Sequence, residues 1–204
     1  FIVWGQGVIL GNAEQEFKTF LEKSGIPAAW TILGLSAIPT DHPSNRGMVG
    51  MHGNYAPNLL TNECDLLIAI GMRFDDRVTG DLTKYAKQAK IIHLELDPAE
   101  VNKNVKVDVA LIADCKVSLN ELNKRISTKT YPKWIARFES LDKIENEKVI
   151  QSDLFPKKEG LTMGESIEMI NKYSNNDAII VTDVGQHQMA ACRYAKFSQS
   201  KSNV

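Results

Sequence analysis

The sequence predicts an α/β protein in which a parallel sheet of about six strands carries helices on both faces, followed by a truncated second α/β unit. Three observations point there. Short apolar runs bounded by glycine, Phe1-Ile2-Val3-Trp4 and Leu66-Leu67-Ile68-Ala69-Ile70, have the continuous hydrophobicity of strands buried on both faces. Segments of helical length and composition separate these runs, as parallel crossovers require. The turns after the runs gather glycine and charge, which is where open α/β sheets bind ligands.

Residues 1–4 form the first strand, and Gly5-Gln6-Gly7-Val8-Ile9-Leu10-Gly11 is the turn into a helix capped by Asn12 and ending near Ser24. The spacing is G-x-G-x-x-x-G, not the G-x-G-x-x-G of NAD sites, so the turn alone is read as a tight strand-to-helix connection. Residues 26–34, with Thr31 and Leu33 at their end, form the next strand. A proline-rich loop leads to Met48-Val49-Gly50-Met51-His52-Gly53, where glycines let backbone lie flat against a ligand beside a thioether and an imidazole. A helix over 54–62 precedes the strand at 66–70.

Behind that strand comes Gly71-Met72-Arg73-Phe74-Asp75-Asp76-Arg77-Val78-Thr79-Gly80, with four charges at the mouth of a buried strand. Arg73 and Arg77 offer planar forks for phosphate, carboxylate or a flat ring, and Asp75 and Asp76 can orient them. The competing reading is a loop that neutralises itself. Residues 91–96 are a further strand, and Glu95 near its carboxyl end can accept ribose hydroxyls or sit as a surface glutamate. Asp97-Pro98-Ala99-Glu100 reads as a helix start with a capping box. Residues 107–113 form the last strand, and Asp114 caps the helix 116–126, or meets a ribose or adenine, or both.

A charged helix over 132–149 opens a linker placed at 129–160, after a first domain at 1–128. From 161 a new unit begins: a helix over 163–173, a strand over 178–182, then Val184-Gly185-Gln186-His187-Gln188-Met189. A glycine between strand and helix offers backbone donors to a phosphate, or is an ordinary turn. With 204 residues, 43% hydrophobic content and a formal net charge of -1, nothing favours nucleic acid or a membrane as partner, so small molecules are the expectation. Three cysteines far apart suit a reducing compartment better than disulfides or zinc. Opening on an apolar strand without Met, the chain reads as a piece of a longer protein.

Residues 48–53, R-F-D-D-R-V-T-G at 73–80 and G-Q-H-Q-M at 185–189 together resemble the catalytic subunits of acetolactate synthase, also called acetohydroxyacid synthase. The resemblance covers nearly the whole chain and implies a thiamine-diphosphate enzyme with FAD held by a Rossmann-like middle domain. FAD would lie along Met51, His52, Gly53, Gly71, Arg73, Asp75, Arg77 and Val78, with Gln188 and Met189 toward the flavin. Gly5, Gln6, Gly7, Thr31, Leu33, Glu95, Leu96 and Asp114 would lie toward the adenosine end. Thiamine diphosphate would meet Val184, Gly185, Gln186 and His187.

By the same resemblance the full protein would condense pyruvate with a second pyruvate or with 2-oxobutyrate, releasing carbon dioxide, on the route to isoleucine and valine. Its other expected partners are a second copy in a homodimer or tetramer, and a small regulatory subunit. The expected compartment is the cytoplasm in bacteria, and a plastid or mitochondrion in eukaryotes. The activating glutamate and the Mg2+ ligands would lie outside this chain, so it holds no catalytic or metal residue and is expected to be inactive alone. Two departures stand out: Ala190 where the family usually has Trp, and Ser36 where it has glycine. The alternatives are a stand-alone dinucleotide-binding module and a related thiamine-diphosphate carboligase or oxidase.

Overall fold

A computed structural model describes residues 1–157 and 159–204. Six strands, β1 (Ile2–Trp4), β2 (Ala28–Trp30), β3 (Asn45–Met48), β4 (Leu66–Ile70), β5 (Lys90–Glu95) and β6 (Val109–Ile112), form one sheet in the order β3-β2-β1-β4-β5-β6. Every pairing is parallel. The chain works outward from β1 to β3 and then returns to start again at β4, so the order reverses between β1 and β4. At such a switch point the following loops diverge to opposite faces and leave a crevice.

The helices are α1 (Gly7–Leu10), α2 (Glu14–Ser24), α3 (Tyr55–Leu60), α4 (Asp76–Thr79), α5 (Cys115–Arg125), α6 (Pro132–Glu145), α7 (Gln151–Leu154), α8 (Met163–Ser174) and α9 (Gln186–Tyr194). Strand alternation divides the core in two. Ile2 and Trp4 face a cluster with Phe17, Leu21 and Leu119 of α2 and α5, whereas Phe1 and Val3 face Ala56, Leu60, Phe138 and Leu141 of α3 and α6. Helices therefore cover both faces, as expected from strands apolar throughout.

Several boundaries differ from expectation for identifiable reasons. Asn12 does not cap α2; it sits at φ 48°, and Ala13 holds the cap position without a side-chain bond. The strand expected over 26–34 stops at Trp30, because Ile32–Gly34 turns into a 3-10 helix. Asn45–Met48, read as loop, pairs with β2 as an edge strand; its composition, with Asn, Arg and Gly, hides it from hydrophobic patterning. Asp97 accepts from the Ala99 amide, but only the single turn Pro98–Glu100 follows, and Glu100 pairs with Lys103. The helix placed at 132–149 runs on instead through a π turn, Asn146–Ile150, into α7.

The second unit departs most. Residues 178–182 form no strand; Ile180 makes an isolated parallel bridge to Asn203. The final segment folds back beside it, and Ser36 holds that return: its hydroxyl accepts the amides of Ser202 and Asn203 at 3.1 and 3.2 Å. Cys192, Ala195 and Phe197 join the α2/α5 side of the core, so α9 and the segment after it are packed onto the sheet.

Candidate cofactor groove

At the carboxyl ends of β1 and β4 lies a groove of about 950 Å³. Its floor is backbone: Gly7 donates its amide to the Gly71 carbonyl at 3.0 Å, and Gly5 to Ile70 at 3.0 Å. Gly71 adopts φ 58°, and a β-carbon on Gly7 would lie 2.6 Å from the Gly71 α-carbon. The glycine turn thus admits the crossing of two chain segments, and the shallow floor between the walls is the consequence.

One wall is the loop after β4. Phe74 is buried at φ 54°, anchored against the rings of His93 and Tyr85 at 4.9 and 6.2 Å. Its Arg73 and Asp75 neighbours face outward. Asp75 is partly committed, because one carboxylate oxygen accepts the Arg77 amide at 3.0 Å and so caps α4. Arg73 reaches Asp75 only at 4.0 Å, with both side chains well exposed, a separation that contributes little. Arg77 has no acidic partner within 4.0 Å among the described residues. The loop therefore does not neutralise itself, and cationic forks remain available at the groove.

Glu95 is not a surface glutamate. Its side chain is 12% exposed, one oxygen accepts the Leu96 and Asp97 amides at 2.9 and 3.2 Å, and the other lies 3.7 Å from the His93 ring. That leaves acceptor capacity pointing at the groove on a carboxylate whose orientation is locked. His93 itself, a residue the sequence reading passed over, is buried beneath the β4 loop and bonds the Met72 carbonyl at 2.8 Å. A polar residue between the apolar Ile92 and Leu94 in the middle of the strand was the available signal.

The opposite wall is Met51 and His52, steadied by the Met51 amide donating to the Arg77 carbonyl at 2.8 Å. Val184, Gln188 and Met189 close one end. Of the residues expected to hold a flavin, Gly5, Gln6, Gly7, Thr31, Leu33, Met51, His52, Gly71, Arg73, Asp75, Arg77, Val78, Glu95, Gln188 and Met189 all line this one groove. Leu10, Ile32, Met48, Val49, Met72 and Asp76 line it as well, most of them apolar.

Three expected residues fall outside the lining. Gly53 borders an adjoining cavity of about 440 Å³ that shares Met51, His52 and Met189. Leu96 lies just past the end of β5 with its side chain in solvent. Asp114 accepts the Lys116 amide at 2.8 Å as the cap of α5, which is one of the roles open to it from sequence. Of the diphosphate-turn residues only Val184 reaches the groove, while Gln186 and His187 are exposed and the His187 ring packs over Gly185. Gly185, Gln186 and His187 line neither this groove nor the adjoining cavity. No group of three or more His, Cys, Asp or Glu side chains is arranged there to hold a metal ion, again among the described residues.

A doubly wound sheet with a glycine-floored groove at its switch point, lined by Arg73 and Arg77, has the groove where open α/β sheets take ligands. The chain belongs to the thiamine pyrophosphate enzyme family, whose central-domain model matches residues 1–122. It is 39% identical over 206 residues to the probable acetolactate synthase large subunit of Methanocaldococcus jannaschii, covering 98% of this chain and 35% of that protein. Over 204 residues it is 36% identical to the acetolactate synthase large subunit of Lactococcus lactis, covering all of this chain and 35% of the relative. Acetolactate synthase 1, chloroplastic, of Oryza sativa is 38% identical over 189 residues, 91% of this chain and 29% of that protein. The chain thus spans about a third of the length of the curated relatives it matches. No helix among the described residues is long and apolar enough to cross a membrane.

Proposed function

We propose that this chain is the FAD-binding middle portion, with the opening of the thiamine-diphosphate-binding portion, of an acetolactate synthase catalytic subunit. The division would be a flavin domain at 1–128, a helical linker at 129–160, and the start of the next domain from 161. The observation that carries the reading is the convergence of expected flavin residues from β1, β2, the loops after β3 and β4, β5 and α9 on one groove. The names of the relatives supply the activity.

The groove fits an extended dinucleotide on three counts. Its volume suits a large ligand. Arg73 and Arg77 would balance a diphosphate, since guanidinium forks bind phosphate oxygens in pairs. The oriented Glu95 carboxylate would accept ribose hydroxyls, and Met51, Met189 and Val78 would lie against the apolar flavin ring. Fixed in this way, FAD would be chiefly a structural element of the groove. Thiamine diphosphate, when bound, supplies the electron sink for breaking one carbon–carbon bond of pyruvate and making another. Val184, Gly185, Gln186 and His187 would form one side of its cradle, and the remainder of the protein would have to supply the other, together with the Mg2+ ligands and a second subunit.

On this reading the complete polypeptide converts pyruvate, alone or with 2-oxobutyrate, into acetohydroxy acids that serve isoleucine and valine synthesis. It would work in a bacterial cytoplasm or a eukaryotic organelle, with a regulatory subunit as a further partner. The test is to purify the complete polypeptide, look for bound FAD, and assay acetolactate formation with thiamine diphosphate and Mg2+. Yellow protein that forms acetolactate, and loses flavin when Arg77 becomes Ala, is the expected result. Colourless, inactive, folded protein would overturn the reading, and flavin without any carboligation would favour a plain dinucleotide-binding module.

A further inference from the structure

One wall of the groove and the end that closes it come from segments well over a hundred residues apart, Met51 and His52 after β3 and Val184, Gln188 and Met189 at and just before α9. An ion pair beside them joins residues 53–55 to α9. Glu145, at the end of α6, has a side chain 5% exposed, and Arg193, on the last turn of α9, one 18% exposed. Their carboxylate and guanidinium form an ion pair through Oε1 and Nη2.

The pair reaches further than the two helices. The other Glu145 oxygen accepts the Tyr55 amide at 3.0 Å and the Asn54 side-chain amide at 3.4 Å. Arg193 Nη1 donates to the Gly53 carbonyl at 3.5 Å. Asn54 in turn accepts the Met48 amide through Oδ1 at 2.9 Å and donates its own amide to the Met48 carbonyl at 2.8 Å. The loop carrying Met51 and His52 is therefore bracketed: Met48 and Asn54 close its ends on each other, and the ion pair ties residues 53–55 to α9.

Stability is a poor explanation for such a pair. Buried charges lose hydration that their mutual attraction barely returns, and well-packed apolar replacements are often neutral or stabilising. Satisfaction is also incomplete, since Arg193 Nε is buried without an acceptor among the described residues. What an apolar replacement could not reproduce is direction, namely the simultaneous hold on Tyr55, Asn54 and Gly53.

We propose that Glu145 and Arg193 are positioning residues for the cofactor groove, latching α9 to the Met51–His52 wall and so setting the width of the site. The ligand named in the test, FAD, rests on the reading given under Proposed function. Two measurements on the purified complete polypeptide separate the two ideas: amide hydrogen exchange at residues 51–55, and flavin-fluorescence titration with FAD. The variants are Arg193→Lys and the paired replacement Glu145→Met with Arg193→Met.

The paired replacement is expected to leave the melting temperature and the β4 amides unchanged while residues 51–55 exchange about tenfold faster, as for a local opening. FAD affinity is expected to fall about tenfold, and Arg193→Lys, which keeps the charge but not the fork, to lie between. Unchanged exchange at 51–55 would overturn the latch. So would faster exchange with undiminished FAD affinity, or affinity that simply follows melting temperature across the variants. A native chain that binds no FAD would count against the flavin reading, and the exchange data would still judge the latch.

Discussion

Gly7 and Gly71 bond amide to carbonyl at 3.0 Å, with so little room that a β-carbon on Gly7 would fall 2.6 Å from the Gly71 α-carbon. The contact joins the turns after β1 and β4, the two strands between which the sheet reverses direction. Gly7→Ala must push these turns apart. The expected loss is about 3 kcal/mol or more, at the upper end for overpacking because backbone rather than a flexible side chain is struck. Chemical denaturation would measure it, with the same m-value if only the native state suffers.

Ser36 occupies a left-handed conformation at φ 70°, which costs a non-glycine residue about 1–2 kcal/mol. Its hydroxyl accepts two amides of the chain end, Ser202 and Asn203. Ser36→Gly would relieve the strain but leave those amides without their acceptor, at about 1–3 kcal/mol for each that stays buried. A net loss of about 1–2 kcal/mol follows, with accelerated exchange confined to the amides of 202 and 203. An increase in stability would show that the hydroxyl contributes nothing.

The Asp142 carboxyl is raised from 3.8 to about 6, chiefly by burial, with Glu145 and Glu139 adding to the rise and Arg46 opposing it. A carboxyl raised on folding holds its proton more tightly in the native state. Its contribution is therefore present below the unfolded value and is lost as pH rises from about 4 through 6. Asp142→Asn should stabilise the chain at pH 7.5 and leave it unchanged at pH 4. Because the side chain is only partly buried, about 1 kcal/mol is a fair size after screening. Melting curves at the two pH values give the answer, and a gain at pH 4 equal to that at pH 7.5 would contradict the assignment.

All three cysteines, Cys64, Cys115 and Cys192, are buried with free thiols. Burial pushes the Cys115 thiol up to about 12 and Cys192 to about 11, and raises Cys64 as well. Thiolate is the reactive form, so the native chain at pH 8 should resist iodoacetamide while the guanidinium-unfolded chain takes up three equivalents. Mass spectrometry reads both, and rapid native labelling of Cys115 would mean that the β1–β4 crossing opens readily.

Read from the amino acids alone, the central strands and the charged turn after β4 were plain, because buried parallel strands leave continuous apolar runs and their turns leave glycine and charge. The edge strand Asn45–Met48 was not, since pairing on one side asks little of side-chain chemistry. Residues 178–182 carry a strand's pattern yet make one bridge, because pattern offers a strand but a neighbour has to accept it. Likewise the roles of Asp75, Asp114 and Glu95 were ambiguous until their hydrogen-bond partners were located. Sequence by itself determined the α/β class, the family and most groove residues, all of which rest on local patterns and motifs. Tertiary structure alone decided that Gly7 meets Gly71, that Arg77 has no acidic partner among the described residues while one Asp75 oxygen caps α4, and that Glu145 finds Arg193. Those are relations between distant segments, and distance along the chain carries no trace of them.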